Sequence, residues 1–145
     1  MRKLLEYNET ANLRFIEWFL SQNHFDEQNH LWISHIIDAQ ELWNARIKDR
    51  DAQLGVWELI HPNSLPEWNR RVSAESVDIV EHYEMNTPID YINTNGQAFS
   101  SSIEEIMLHL FGHGNYHRGQ LASRIRKMDL DPPYTDYIEF CRAGF

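Results

Sequence analysis

Three of the eight histidines follow one another at intervals of four residues, at His109, His113 and His117. Neutral imidazole is a ligand for zinc, nickel, iron, cobalt and copper. On an α-helix, residues four apart lie on one face and are separated by about 6 Å along the axis, so two such rings can reach the same ion. The outer pair would lie about 12 Å apart, whereas nitrogens bound to one ion lie within about 4 Å of each other. The spacing therefore predicts a chelating pair, either His109 with His113 or His113 with His117.

A third ligand has to come from another part of the chain, and His35 is the best candidate. It lies on an apolar stripe of a predicted helix, between Leu31 and Ala39. Taken alone, His35 is also open to interpretation as a hydrogen-bonded core histidine. Three imidazoles would leave coordination positions for water or substrate, which is typical of catalytic rather than structural sites. The remaining histidines fall in predicted loops or at polar positions: His24, His30, His61 and His82.

Glycines crowd the same segment, because Gly112, Gly114 and Gly119 are three of the six in the chain. Each glycine inside a helix costs about 1 kcal/mol relative to alanine. Close approach of a neighbouring helix, or space kept for a substrate, would offset that cost. The alternative is a helix that breaks near Gly112, which would separate the chelating pair.

Apolar residues at steps of three and four predict four long helices. These cover residues 4–20, about 27–48, 67–85 and 101–127, and a loop extends through residue 66 before the third. Ser73 is a possible cap of the third helix, which Thr87-Pro88 ends because proline disfavours a helical residue before it. Ser101 and Ser102 each have a glutamate three positions on, which predicts two overlapping capping boxes for the fourth helix.

Two shorter elements flank the fourth helix. Asn95-Gly96 tolerates the positive φ angles of a two-residue turn, and Tyr91 and Phe99 would pair across a small hairpin. Towards the C-terminus, Thr135 is expected to cap a short closing helix. The pattern predicts an all-α fold: a four-helix bundle with a hairpin before the last long helix and a short C-terminal helix.

Length and composition predict one globular domain over residues 1–145, of which 42% are hydrophobic. The net charge of −9 argues against a nucleic-acid partner, because it would repel the phosphate backbone. Cys141 is the only cysteine, so an internal disulfide is excluded and the reducing cytoplasm is favoured. No apolar run is long enough to span a membrane.

The segment that carries the histidines resembles a known family. Its motif HxxxHRGQ begins at His113, and four further stretches match: the helix from Tyr7 to Leu20, residues 35–46, Tyr-x-Asn-x-x-Gly-x-x-Phe from Tyr91, and the Pro-Pro-x-Thr-Asp-Tyr ending. Together they are similar to the DinB (damage-inducible) and YfiT-like superfamily. The resemblance implies a four-helix bundle, often a homodimer, in which His35, His113 and His117 bind one divalent metal ion, commonly nickel or zinc. It leaves His109 as a packing or supporting residue.

Relatives in that superfamily include bacillithiol transferases and mycothiol-dependent isomerases. The resemblance therefore implies a metal-dependent enzyme that activates a low-molecular-weight thiol, or water, towards a small-molecule substrate. A non-catalytic, stress-related protein that binds a metal or a small molecule is the alternative. The free imidazole nitrogens need hydrogen-bond acceptors, for which Asp38 and Gln120 are candidates. Arg118 is a candidate to bind an anionic group of the substrate or to form a salt bridge. Trp43 and Tyr116 are candidates to line the pocket.

Overall fold

The computed structural model describes residues 1–22 and 26–143, which form a helical bundle with a small antiparallel hairpin. The predicted all-α bundle is therefore confirmed, as are the hairpin and the short C-terminal helix. His24, expected in a loop, lies outside the described residues. The helices are α1 (Arg2–Leu20), α2 (Glu27–Ile47), α3 (Leu65–His82), α4 (Ile103–Lys127) and α5 (Tyr137–Arg142), and the strands are β1 (Pro88–Ile92) and β2 (Ala98–Ser102).

The four long helices pack around two apolar clusters, and each cluster takes buried residues from all four. Burial of apolar surface stabilises the fold by about 25 cal/mol per Å², so the clusters fix the helices relative to one another. In this arrangement α2 and α4 lie side by side. None of the helices in the described ranges has an apolar stretch long enough to cross a membrane. Fully buried members include Phe15, Phe19, Ile37 and Leu121 in one cluster and Leu5, Ile79, Ile103 and Met107 in the other.

α3 differs from its predicted boundaries at both ends. It begins two residues earlier, at Leu65, and Pro66 lies in its first turn. Proline is favoured there because its φ is already helical and the first N–H groups of a helix have no helical partner. Ser73 lies buried inside the helix, so its expected role as a cap is wrong. The helix ends at His82, three residues before the predicted end.

The hairpin has the predicted pairing but a different turn. Tyr91 lies opposite Phe99 in the antiparallel ladder, which confirms their pairing. Between the strands, the Asn93 side chain accepts hydrogen bonds from two backbone N–H groups of the loop. Gly96, with a φ of 79°, is the residue of this loop in the left-handed region. The predicted two-residue turn at Asn95-Gly96 is wrong because Asn93 closes a longer loop.

Side-chain caps begin α4 and α5. Ser102 Oγ accepts a hydrogen bond from the Glu105 N–H at 3.2 Å, and the Glu105 carboxylate accepts one from the Ser102 N–H at 2.8 Å. The second of the two predicted capping boxes is therefore confirmed. α5 is capped by Asp136 and not by Thr135. The Thr135 carbonyl accepts a hydrogen bond from the Tyr7 hydroxyl instead, which ties this part of the chain to α1.

Candidate metal centre

α4 presents two of the predicted ligands on one face because it runs unbroken past its three glycines. Gly114 faces α1, where an added Cβ would lie 2.8 Å from Arg118 Nη1 and closer still to Asn8 Oδ1. Close approach of another helix therefore offsets the cost of this glycine. At Gly112 and Gly119, an added Cβ would meet none of the described neighbouring atoms within 4 Å. The alternative of a helix broken near Gly112 is wrong.

The side chains of His35, His113 and His117 converge between α2 and α4. His113 Nε2 lies 3.2 Å from His35 Nε2 and 3.1 Å from His117 Nε2. Each residue offers one nitrogen, and these nitrogens all lie within 4.8 Å of one another. Of the two pairs that the spacing left open, the structure brings 113 and 117 together with His35. The His109 ring lies beside His113, with 5.5 Å between ring centroids, but is not part of this group.

Carbonyl oxygens hold two of the three rings by their outer nitrogens. His35 Nδ1 lies 2.7 Å from the Val56 carbonyl oxygen, and His117 Nδ1 lies 2.8 Å from Gln120 Oε1. A carbonyl oxygen only accepts hydrogen bonds, so each Nδ1 carries the hydrogen and each Nε2 presents a lone pair. Two lone pairs therefore face His113 Nε2, which carries at most one hydrogen. Hydrogen bonds among the rings cannot satisfy this arrangement, whereas a divalent cation that takes nitrogen ligands fits it.

Burial keeps the cluster neutral. His35 and His117 are buried, and His113 is partly buried. Loss of solvation, followed by the neighbouring histidines, lowers the pKa of His113 to about 3. Loss of solvation also lowers the pKa of His35 and of His117. At neutral pH the rings are therefore unprotonated, which is the form that binds a metal ion.

Two exposed aromatic rings flank the cluster. The Trp57 indole stacks flat on His35, with 3.5 Å between centroids and an interplanar angle of 2°, and it is 51% exposed. The Tyr116 ring lies 5.2 Å from that of His117 and is 64% exposed. Tyr116 was a sequence candidate, but Trp57 was not, because it lies in a loop without periodicity. Two exposed aromatic side chains therefore lie against the cluster.

Comparison with known proteins identifies the family of this chain. A sequence model described as "DinB family" matches residues 3–143. The chain belongs to the DinB family. It is also similar to a protein named "Protein DinB" from Bacillus subtilis (strain 168), with 28% identity over 54 residues. That match covers 37% of this chain and 31% of the relative, so the chain spans less than one third of the length of this curated protein.

In this DinB-family chain, only one of the residues that the sequence suggested as hydrogen-bond acceptors for the ligand histidines has that role. Gln120 lies where it accepts a hydrogen bond from His117, as described above. Asp38 does not contact His35: its Oδ2 accepts a hydrogen bond from the Glu58 N–H at 3.0 Å. Its Oδ1 is buried without a hydrogen-bond partner among the described residues. His109 lies edge-on to Trp43, which places it beside the cluster as a packing residue.

Arg118 of this DinB-family chain points away from the cluster, into the contact between α1 and α4. Its guanidinium donates hydrogen bonds to the side-chain oxygens of three asparagines, Asn8, Asn12 and Asn115. Burial lowers its pKa to about 10, so it is still charged at neutral pH. Within the described ranges, Arg118 forms no salt bridge, so that expectation is wrong. Its role towards an anionic substrate group stays a prediction.

Proposed function

We propose that this DinB-family protein is a metal-dependent enzyme in which His35, His113 and His117 bind one divalent cation, zinc or nickel. The substrate is a small molecule that reacts with a low-molecular-weight thiol or with water. The observation that supports the proposal is the convergence of three Nε2 atoms, two of which have lone pairs fixed by carbonyl partners. The choice of thiol rests on the family resemblance.

The residues of the chain perform three tasks in this proposal. The three neutral imidazoles supply nitrogen ligands and leave coordination positions free for a substrate. The Val56 carbonyl and the Gln120 amide hold two of the rings in one tautomer. In this proposal a ligand reaches the cluster past the exposed rings of Trp57 and Tyr116. When bound, the cation supplies Lewis acidity, which favours the deprotonated form of a thiol or a water molecule.

A second function, non-catalytic binding of a metal or a small molecule in a stress response, is favoured by one observation. Asp38 is the acid one helical turn beyond His35. It is wholly buried, and one of its two carboxylate oxygens accepts a hydrogen bond from the Glu58 N–H. A wholly buried carboxyl does not reach a substrate, so this position supplies no general base. Turnover, and not metal content, separates the two functions.

Metal analysis of protein purified without a histidine tag tests the site. We expect one equivalent of zinc or nickel per wild-type chain, and a loss of nearly all of it in His113→Ala, which removes the central ligand. His109→Ala is the matched control, because its ring lies beside the cluster on the same helix, and it should retain the metal. Equal metal content in wild type and His113→Ala would contradict the proposed site.

An assay of thiol conjugation to an electrophile, such as 1-chloro-2,4-dinitrobenzene, tests turnover. The rate should fall when the metal is stripped by a chelator and recover when zinc or nickel is restored. Equal rates in the stripped and the restored protein, or no rate with any thiol, would favour the binding function, provided that metal analysis shows the restored site to be filled. A homodimer, the cytoplasmic location and the lack of nucleic-acid binding remain predictions, and light scattering after size-exclusion chromatography tests the first.

A further inference from the structure

The segment from Gln53 to Ile60, called the strap below, has neither helix nor strand and lies along α2. Backbone polar groups of such a segment need partners, and here α2 side chains supply them. The strap runs antiparallel to α2, since its first residue contacts Glu41 and its last contacts Ser34 and His30. The contacts are Gln53 N–H to Glu41 (3.0 Å), Val56 O to His35 (2.7 Å), Glu58 N–H to Asp38 (3.0 Å), Ile60 N–H to Ser34 (3.2 Å) and Ile60 O to His30 (2.7 Å).

The middle of the strap places two consecutive residues on His35. The Val56 carbonyl accepts the Nδ1 hydrogen, which fixes the tautomer of the ring. The Trp57 indole lies parallel to the same ring at 3.5 Å, which fixes its plane. About half of the Trp57 surface is in solvent, so the side chain is not a member of the apolar core.

The other two rings of the cluster are positioned differently. His113 and His117 lie one turn apart on α4, and the partner of His117 Nδ1 is Gln120 of the same helix. His35 is the one member of the cluster that lies on another helix, and its two orienting contacts come from the strap. The geometry of the cluster therefore depends on how the strap lies on α2.

We propose that Trp57 is a positioning residue that, with the strap, holds His35 in the orientation that binds the metal. This inference rests on the proposed metal site. Groups that orient a metal-binding histidine typically change metal affinity by about 10- to 100-fold when they are removed. Because binding is reciprocal, metal binding should also stabilise the strap on α2.

Zinc affinity, measured by competition with a chromophoric chelator, tests the inference. Trp57→Ala should raise the Kd by about tenfold, whereas Trp57→Phe, which keeps a flat ring, should restore most of the affinity. Leu59→Ala is the matched control, because Leu59 lies on the same strap and is similarly exposed, at 54%. Its Kd should equal that of wild type. A Kd of Trp57→Ala within about twofold of wild type, a difference below about 0.5 kcal/mol, would overturn the inference.

A measurement on the metal-free protein separates failure of the inference from failure of the proposed function. Because the hydrogen bond from His35 Nδ1 to the Val56 carbonyl needs the ring plane that Trp57 fixes, loss of the indole should let the ring turn away from that carbonyl. Nitrogen NMR of the imidazoles should then show His35 as the Nδ1–H tautomer in wild type and as a tautomer mixture in Trp57→Ala. If wild type binds no zinc but this difference is present, the strap positions His35 and the metal function is wrong. If the tautomer is the same in both proteins, the positioning role is wrong whether or not zinc binds. Matching circular dichroism melts of the variants exclude loss of fold as the cause.

Discussion

Replacement of Asp38 by asparagine should change how the stability of the protein depends on pH. The Asp38 carboxyl is wholly buried, and loss of solvation raises its pKa to about 8. In the unfolded chain its pKa is about 3.9. Between these values the folded protein holds a proton that the unfolded chain has released. The free energy of unfolding therefore loses about 1.4 kcal/mol per pH unit from this group as the pH rises through the window.

Asp38→Asn keeps an oxygen that accepts the Glu58 N–H but removes the titration. The free energy of unfolding of the variant, relative to wild type, should therefore rise by about 2.7 kcal/mol between pH 5 and pH 7. If the new side-chain amide N–H has no hydrogen-bond partner, the free energy of unfolding of the variant falls by the same amount at every pH. The difference in slope between the two proteins is then unchanged.

Urea unfolding of chelator-treated protein at several pH values between 5 and 7 measures the difference, because removing the metal also removes its own contribution to stability. Asp51→Asn, at an exposed loop position, is the matched control and should give a curve parallel to that of wild type. Parallel curves for wild type and Asp38→Asn would refute the reasoning, since they would show that the buried carboxyl binds no extra proton in the folded state.

Further predictions concern the contact between α1 and α4 and the glycines of α4. Gly112→Ala should stabilise the protein by about 1 kcal/mol, because the added methyl group meets no neighbour and alanine favours a helix. Gly114→Ala should destabilise it by about 2 kcal/mol, because the same methyl group would overlap Asn8 and Arg118. Arg118→Met should lower stability by about 3 kcal/mol, because the asparagine oxygens around it lose their donor. Thermal and urea unfolding measure all three, and a Gly114→Ala protein as stable as Gly112→Ala would contradict the close packing of the helices.

Helical periodicity and histidine spacing predicted most of the fold and the residues of the cluster. Apolar residues spaced three and four apart indicate directly which face of a helix is buried. The spacing of four restricted the chelating pair to two choices. It could not choose between them, because His109 and His117 have the same relation to His113 along the helix. The family resemblance chose His113 and His117, and the position of α2, which brings His35 beside His117, agrees with that choice.

The strap was missed because its contacts involve backbone groups, which every residue has. A residue of any type at position 56 would supply the same carbonyl group, so the sequence does not indicate this contact. Trp57 lies in a loop, where no periodicity distinguishes it from other surface aromatic residues. A usable signal was present on α2, where polar side chains at positions 30, 34, 38 and 41 recur at helical spacing. Such a stripe indicates that something polar covers this face. Thr135 is not the cap of α5 because several polar residues near a helix end compete for that role, and Ser73 is not a cap because α3 begins eight residues before it.

The separation of His35 and His113 by 78 residues of chain bears on how the protein is made. When only the first two helices of a nascent chain have emerged from the ribosome, one of the three imidazoles is available, and it cannot chelate an ion alone. A cation that needs all three would be captured only after the last long helix has docked. Its binding energy would then favour the completed topology over every partly assembled intermediate.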